Sequence, residues 1–180
     1  MSHALNTGPD WHVVRVRANA ERQVAHSLSC RDIEVFLPLQ RRAPKKPKKK
    51  TADRPLFPGY VFAAFDGRTT LPVVACPGVV HILCRANVPE VVDPSEIFAL
   101  RTVSDAAREL LPYPVFDCGQ KVRIHTGPLS EVEGVVLRDE GRSRLVVSVS
   151  LLQRSVVAEV DRSWLETSAP QLAQAARAFL

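Results

Sequence analysis

The pattern of apolar and polar positions is centred on one stretch, residues 54–65. Beyond Gly59 the side chains of an extended strand sort onto two faces, Tyr60, Phe62 and Ala64 against Val61, Ala63 and Phe65. Both faces are apolar, which is typical of a central strand; the protein's own core covers one face, and either a helix or a partner protein covers the other. Pro58 cannot donate to a strand ladder and Gly59 tolerates unusual backbone angles, so we expect a sharp start that leaves Phe57 at the rim as an anchor for a partner. The alternative is that all these aromatic residues are core.

The same patterns predict a β-α-β start and an α/β sandwich over residues 9–110, with helices on a four-stranded antiparallel sheet. Asn19 is a suitable N-cap for the first helix, and Asp93-Pro94-Ser95-Glu96 is a strong start for the third. The predicted strands are 11–17, 34–40, 60–65 and 79–83, and the predicted helices are 20–31, 69–76 and 94–110.

The pattern changes at Leu111-Pro112-Tyr113-Pro114, where two prolines predict a short, stiff linker over residues 111–118. From residue 119 to residue 168 the chain has short alternating runs separated by glycine turns. Five such strands within about fifty residues predict a small closed β-barrel of SH3-like type, so the fold class is α+β with two domains. The sequence does not decide whether the tail 169–180 is helical or frayed.

Composition indicates a globular protein with an excess of basic over acidic residues. The chain has 180 residues, 46% of them hydrophobic and 24% charged, and a formal net charge of +5, which favours a polyanionic neighbour such as nucleic acid. No apolar run approaches the ~20 residues of a membrane span, and the N-terminus does not resemble a signal peptide. We therefore expect a cytoplasmic monomer without membrane contact.

The reactive residue types form no recognisable catalytic or metal-binding pattern. The five histidines are far apart in the sequence, and no nucleophile–base pair or phosphate-binding glycine loop can be nominated. The cysteines Cys30, Cys76, Cys84 and Cys118 form no C-x-x-C pair, so we expect reduced thiols. The sequence predicts neither an enzyme nor a bound metal or cofactor.

Two groups of cations are candidates for nucleic-acid binding. The first lies in the run 41–50, which has seven like charges and two prolines and includes Lys45, Lys46 and Lys48. Such a run is typical of a flexible hairpin tip, either a solvated loop or an arm that contacts phosphates without sequence preference. The second group is Arg15, Arg17 and Arg22, where a strand end meets the start of a helix; the alternative is again a solvated charged face.

The order of several motifs makes the chain recognisable. The run Leu56-Phe57-Pro58-Gly59-Tyr60-Val61-Phe62 follows a Trp11-His12-Val13-Val14 strand and precedes Pro77-Gly78-Val79. This arrangement resembles the NusG family of transcription elongation factors. Residues 119–165 resemble that family's KOW module, in which Gly127 and Gly134 match structural glycines. Together the resemblances cover nearly the whole chain.

The resemblance implies three binding surfaces. The aromatic surface grips the clamp helices of the largest RNA polymerase subunit, which implies that role for Phe57, Tyr60, Phe62 and Ile82; Thr69 and Thr70 lie near a contact with the opposite jaw of the polymerase. Arg15, Arg17 and Arg22 lie near upstream or non-template DNA in the family. In the KOW module, an apolar pair followed by arginine binds ribosomal protein S10 or the termination factor Rho, and Leu151, Leu152 and Arg154 match this pattern. Alternation along a strand would bury one leucine of that pair and expose the other.

Some segments resemble specialised members of the family, of the RfaH and UpxY types, among them Ile33-Glu34-Val35-Phe36-Leu37-Pro38-Leu39. Our main hypothesis is therefore an operon-specific antitermination factor that suppresses pausing and termination. The alternatives are a general NusG elongation factor and a ribosome- or RNA-binding KOW protein that never meets polymerase. Because Val, Ser and glycine turns dominate the second half, we expect a stable barrel with no switch to a helical fold.

Overall fold

The structure is a computed structural model that describes residues 9–40, 54–107, 110–113, 120–124, 127–139 and 142–160. Within these ranges the helices are α1 (Glu21–Ser29), α2 (Leu71–Val74) and α3 (Pro94–Ala106). The strands are β1 (Trp11–Val16), β2 (Glu34–Phe36), β3 (Tyr60–Ala64), β4 (Val79–Ile82), β5 (Cys84–Arg85), β6 (Val88–Pro89), β7 (Leu110–Tyr113), β8 (Gln120–Arg123), β9 (Glu133–Asp139), β10 (Arg142–Val149) and β11 (Arg154–Val160).

The N-terminal half is built on a four-stranded antiparallel sheet in the order β2-β3-β1-β4. The central pair, β1 and β3, sets Val14 opposite Val61 and Arg15 opposite Tyr60. This sheet confirms the predicted N-terminal architecture. The strand β2 is shorter than the predicted 34–40, and the small hairpin of β5 and β6 was not predicted.

The two apolar faces of β3 belong to two different hydrophobic clusters, so helices of this chain, and not a partner protein, cover both faces. Val61, Ala63 and Phe65 pack with residues of α1 and α2 on one face of the sheet. Phe62 packs on the other face with Leu56, Phe57 and the buried residues of α3, and Tyr60 packs partly buried against this cluster. A strand with two apolar faces is stable only when both are covered, and here each face has its own helices.

The start of α3 follows the sequence signal closely. The Asp93 side chain accepts a hydrogen bond from the Ser95 backbone N–H at 2.8 Å, and Pro94 occupies the first helical position. The predicted end at Leu110 is wrong, because the helix ends at Ala106. The predicted cap Asn19 is also wrong: its φ is +63°, so it forms a turn, and Ala20 takes the N-cap position.

The C-terminal half contains a five-stranded antiparallel sheet in the order β7-β11-β10-β9-β8. Its first strand, Leu110–Tyr113, lies mostly in the segment that was predicted to be a linker, so that prediction is wrong for residues 111–113. Pro112 is opposite Val156, and β7 lies at the edge of the sheet, where a residue without an N–H is tolerated. The prolines that suggested a linker therefore mark an edge strand.

Within the described ranges, no helix has the length and apolar character that crossing a membrane requires.

Candidate protein-interaction site

Tyr60 is the half-buried aromatic residue at the start of β3, and two arginines lie against its ring. The Arg15 guanidinium carbon is 4.7 Å from the ring centroid, and the Arg154 guanidinium carbon is 5.3 Å from it. Both distances lie within the range of a cation–π interaction. Arg15 comes from the neighbouring strand β1, whereas Arg154 comes from the C-terminal sheet.

The backbone just before Tyr60 is fixed by two charged side chains. The Gly59 N–H donates to Glu21 Oε1 at 2.7 Å, and the Gly59 carbonyl accepts from Arg15 Nη1 at 3.3 Å and from the Val16 N–H at 2.9 Å. Glu21 lies at the start of α1 and is buried, so this carboxylate is positioned by the helix. Tyr60 therefore sits on a backbone that is held from both β1 and α1.

Gly59→Ala should lower the free energy of unfolding by about 1–3 kcal/mol. Gly59 has a φ of +82°, which L-residues rarely adopt, and an added Cβ would overlap the Arg15 guanidinium. The substitution would therefore strain the backbone and displace the cation from Tyr60. Urea unfolding of the full-length chain measures the loss.

The matched control is Gly67→Ala. An added Cβ at Gly67 would meet its nearest neighbour, the His12 ring, at 3.4 Å, which is an ordinary contact. A compatible Gly→Ala change leaves stability unchanged or raises it by about 0.4–1 kcal/mol. Equal losses at the two positions would contradict the special role of Gly59.

Phe57 and Phe62 support the site from inside the protein. Their exposed fractions are 2% and 0%, and their rings meet edge to face with centroids 5.7 Å apart. The expectation that Phe57 stands at the rim as an anchor is therefore wrong, and the alternative that Phe57 belongs to the hydrophobic core is correct. Local sequence predicts the strand start but not the packing of a preceding turn against a distant helix.

Ile82 does not join this surface. It lies opposite Val14 and packs with the α1 and α2 cluster, which covers the other face of the sheet. The adjacent His81 is paired with Arg15 and is exposed, so His81 lies on the face of Tyr60. A one-residue change of register moves a side chain to the opposite face, and the sequence alone does not give the pairing of β1 with β4.

The loop between β10 and β11 brings the predicted S10- or Rho-binding residues to Tyr60. Ser150–Leu152 form a 3-10 turn and Gln153 has a φ of +48°, so the expected strand alternation does not apply. Leu151 and Leu152 are both half-buried and pack against the cluster that contains Phe62, and the Ser150 N–H donates to Glu96 Oε1 at 3.0 Å. The structure therefore brings Arg154 and both leucines together with the surface around Tyr60.

Comparison with known proteins settles the family. A family model described as "Transcription termination factor nusG" matches residues 9–101, a segment that contains Tyr60, Gly59, Arg15 and Glu96. This chain belongs to the NusG family.

The NusG relatives extend over most of the chain. The "Transcription termination/antitermination protein NusG" of Escherichia coli strain K12 is 29% identical over 174 residues, which cover 87% of this chain and 94% of the relative. The protein of the same name from Pseudomonas aeruginosa is 28% identical over 171 residues and covers 87% of this chain and 97% of the relative. A solved structure, "Domain interaction in Thermotoga maritima NusG", matches with a TM-score of 0.49 at 21% identity, over 88% of this chain and 96% of that one.

Two further residues assigned from the NusG resemblance lie away from Tyr60. Thr69 is exposed and Thr70 is the N-cap of α2, whose buried Val73 packs into the cluster on the opposite face. Beside them, Leu71 and Val74 are exposed by 72% and 44%. Thr69 and Thr70 therefore belong to a separate patch.

The basic residues assigned to DNA differ in their exposure and in their contacts. Arg17 and Arg22 are exposed beside the start of α1, as expected for a charged corner. Arg15 is half-buried, and its guanidinium is engaged with Gly59 and Tyr60. The other three, Lys45, Lys46 and Lys48, lie outside the described residues.

The described residues contain no group of three His, Cys, Asp or Glu side chains that could hold a metal ion. Cys30 and Cys84 are exposed free thiols and Cys76 is a buried one, whereas Cys118 lies outside the described residues.

Proposed function

We propose that this NusG-family chain binds RNA polymerase through the surface around Tyr60 and suppresses pausing and termination of transcription. The observation that supports the proposal is the family match over residues 9–101, a segment that contains the half-buried Tyr60 ring with the Arg15 guanidinium against it. A fixed aromatic side chain makes a strong contact because little conformational freedom is lost on binding.

The chemistry around Tyr60 fits a helical partner with apolar and acidic side chains. The ring is apolar, the Arg15 guanidinium lies against it, and His81 shares its face. We assign the clamp helices of the largest polymerase subunit to this surface, with Phe57 and Phe62 supporting the ring from the core. Thr69 and Thr70, together with the exposed Leu71, are assigned to a second polymerase contact on the other side of the domain.

The exposed cations are assigned to nucleic acid. Arg17 and Arg22 lie at the corner where β1 leads into α1, and they would contact the phosphates of upstream or non-template DNA. Lys45, Lys46 and Lys48 would add to this electrostatic attraction. Phosphate contacts of this kind are independent of base sequence and weaken as salt rises.

We assign the C-terminal sheet to a KOW domain of barrel type. Its loop residues Leu151, Leu152 and Arg154 would bind ribosomal protein S10 or Rho. Two half-buried leucines and an exposed arginine on one turn offer an apolar contact with a charged rim, which is the usual anatomy of a small protein interface.

Within the family we propose an operon-specific role, on the basis of the RfaH- and UpxY-like segments of the sequence. A general elongation factor is the second candidate, and a specific observation favours it. The relatives from Escherichia coli and Pseudomonas aeruginosa, which match 87% of this chain, are both termination/antitermination proteins named NusG.

The test is transcription in vitro on a template with a pause site and a terminator. The full-length chain should shorten the pause and increase read-through, and Tyr60→Ala should do neither at the same concentration. Requirement for a particular operon leader would support the specialised role, and equal action on any template the general one. Binding to S10 without any effect on polymerase would contradict the proposal in favour of a ribosome-associated protein.

A further inference from the structure

We infer that Glu21 is a positioning residue for the polymerase contact: its carboxylate, carried by the first turn of α1, holds the backbone turn that presents the Tyr60 ring. The inference rests on the proposed function, because it takes the role of Tyr60 from there. Its structural basis is the hydrogen bond that the Gly59 N–H donates to Glu21 Oε1 at 2.7 Å, between residues 38 positions apart in the chain.

Glu21 is a buried carboxylate at a place in a helix where a glutamate can remain in water. A glutamate in the first turn interacts favourably with the positive end of the helix even when it is exposed. The Glu21 residue is only 6% exposed, and removal of a carboxylate from water costs free energy unless the group is hydrogen-bonded. The charge-assisted bond to Gly59 offsets this cost, so the carboxylate is directed at the turn before Tyr60 and not at solvent.

This hydrogen bond fixes the backbone immediately before Tyr60. Gly59 is buried with a φ of +82°, and a glycine has access to more backbone conformations than any other residue. The Gly59 carbonyl is held from β1, by the Val16 N–H at 2.9 Å and by Arg15 Nη1 at 3.3 Å. Glu21 holds the N–H of the same residue from α1. Without Glu21 the peptide that precedes Gly59 is free to rotate, and the Tyr60 ring loses its fixed direction.

A fixed direction matters because a partner binds the ring in one orientation. The apparent affinity falls in proportion to the fraction of free molecules that already have the binding-competent geometry. If about a tenth of the molecules keep that geometry, the affinity falls about tenfold. A buried charged group can be retained because it specifies one conformation, even where it adds little to stability. The role of Glu21 is therefore to keep the free chain in the conformation that polymerase binds.

Three substitutions separate the reach of the Glu21 side chain from its charge. Glu21→Gln keeps an acceptor oxygen at the same reach without the charge, Glu21→Asp keeps the charge on a shorter side chain, and Glu21→Ala removes both. The affinity of the full-length chain for RNA polymerase should stay close to wild type in Glu21→Gln, and it should fall about tenfold in Glu21→Asp and Glu21→Ala. A residue that acts through its charge would give the opposite order for Gln and Asp.

The matched control is Glu90→Ala. It removes a carboxylate whose side chain is 23% exposed and lies 2.7 Å from Arg85 Nε, and Glu90 belongs to neither of the proposed polymerase contacts. This control should leave the affinity at the wild-type value. Urea unfolding of every variant shows whether it is folded under the binding conditions. If Glu21→Ala does not fold, the comparison of Glu21→Gln with Glu21→Asp still decides between reach and charge.

Hydrogen exchange at the Gly59 amide measures the positioning without polymerase. This amide should exchange slowly in wild type and in Glu21→Gln, and rapidly in Glu21→Asp and Glu21→Ala. The Val16 amide, which donates to the Gly59 carbonyl, should remain protected in all four proteins. A general loss of stability would accelerate both amides together, so the difference between them is specific to the role of Glu21.

The results distinguish a failure of the inference from a failure of the proposed function. Equal polymerase affinities for wild type and folded Glu21→Ala would overturn the positioning role, and the polymerase assignment would stand. Retained affinity in Glu21→Asp with a loss in Glu21→Gln would overturn it in favour of a direct charge contact. A wild-type chain that protects the Gly59 amide but does not bind polymerase would overturn the proposed function, and the role of Glu21 in polymerase binding with it.

Discussion

Tyr60→Ala should weaken binding of the chain to RNA polymerase by about thirtyfold, because truncation of a central aromatic contact costs ~2 kcal/mol. The ring is half-buried at the start of β3, and the Arg15 guanidinium and the Gly59 backbone hold it in place. The Arg154 guanidinium carbon also lies 5.3 Å from the ring centroid. Titration of polymerase with wild type and Tyr60→Ala, both as full-length proteins, measures the loss.

Two control variants test whether the loss of affinity is specific to the Tyr60 ring. Tyr60→Phe keeps the ring and both arginine contacts, so its affinity should stay close to that of the parent. Phe98→Ala removes an aromatic ring that is 49% exposed on α3, and it should also have little effect. A similar loss in Tyr60→Ala and Phe98→Ala would show that the site around Tyr60 is not the polymerase contact.

Phe62→Ala should lower the free energy of unfolding by about 3–5 kcal/mol, the usual cost of a fully buried Phe→Ala change. The Phe62 side chain is 0% exposed, and its ring centroid lies 5.7 Å from that of Phe57 and 6.1 Å from that of Phe36. The cavity should not close easily, because β3 is paired with β1 on one side and with β2 on the other. Urea unfolding of the full-length chain measures the loss.

Phe98→Ala is the control for this stability measurement, because it removes the same number of atoms from a half-exposed position. Its cost should stay below about 1 kcal/mol. If Phe62→Ala were as mild as Phe98→Ala, Phe62 would be a surface residue and the two-faced packing of β3 would be wrong.

Local patterns in the sequence predicted the elements that depend on neighbours in the chain. The alternation of β3 gave two apolar faces, and each face has its own cluster. The Asp93 cap and the start of α3 were also predicted, because a capping side chain acts within three residues of itself. The same local rules failed at Pro112, since a proline is compatible with an edge strand as well as with a linker.

The candidate site depends on contacts between distant residues, and these were only partly predictable. The resemblance to the family pointed to Tyr60, but the exposure of His81 and the burial of Ile82 follow from the pairing of β1 with β4. Arg15 was assigned to a DNA-binding corner, whereas its long side chain reaches the Gly59 carbonyl, which immediately precedes the neighbouring strand β3. The contact of Arg154 with Tyr60 joins the two halves of the chain, so no local sequence pattern predicts it.

The measurement that tests the central claim most directly is site-specific photocrosslinking in a transcription elongation complex. A photoreactive amino acid replaces His81, which is exposed on the face of Tyr60, in the otherwise unchanged full-length chain. The same group at Gln23, exposed on α1 over the opposite face, is the control. We expect position 81 to crosslink to the clamp helices of the largest polymerase subunit and position 23 not to do so. No crosslink to polymerase from position 81, or equal yields to the clamp helices from both positions, would contradict the account.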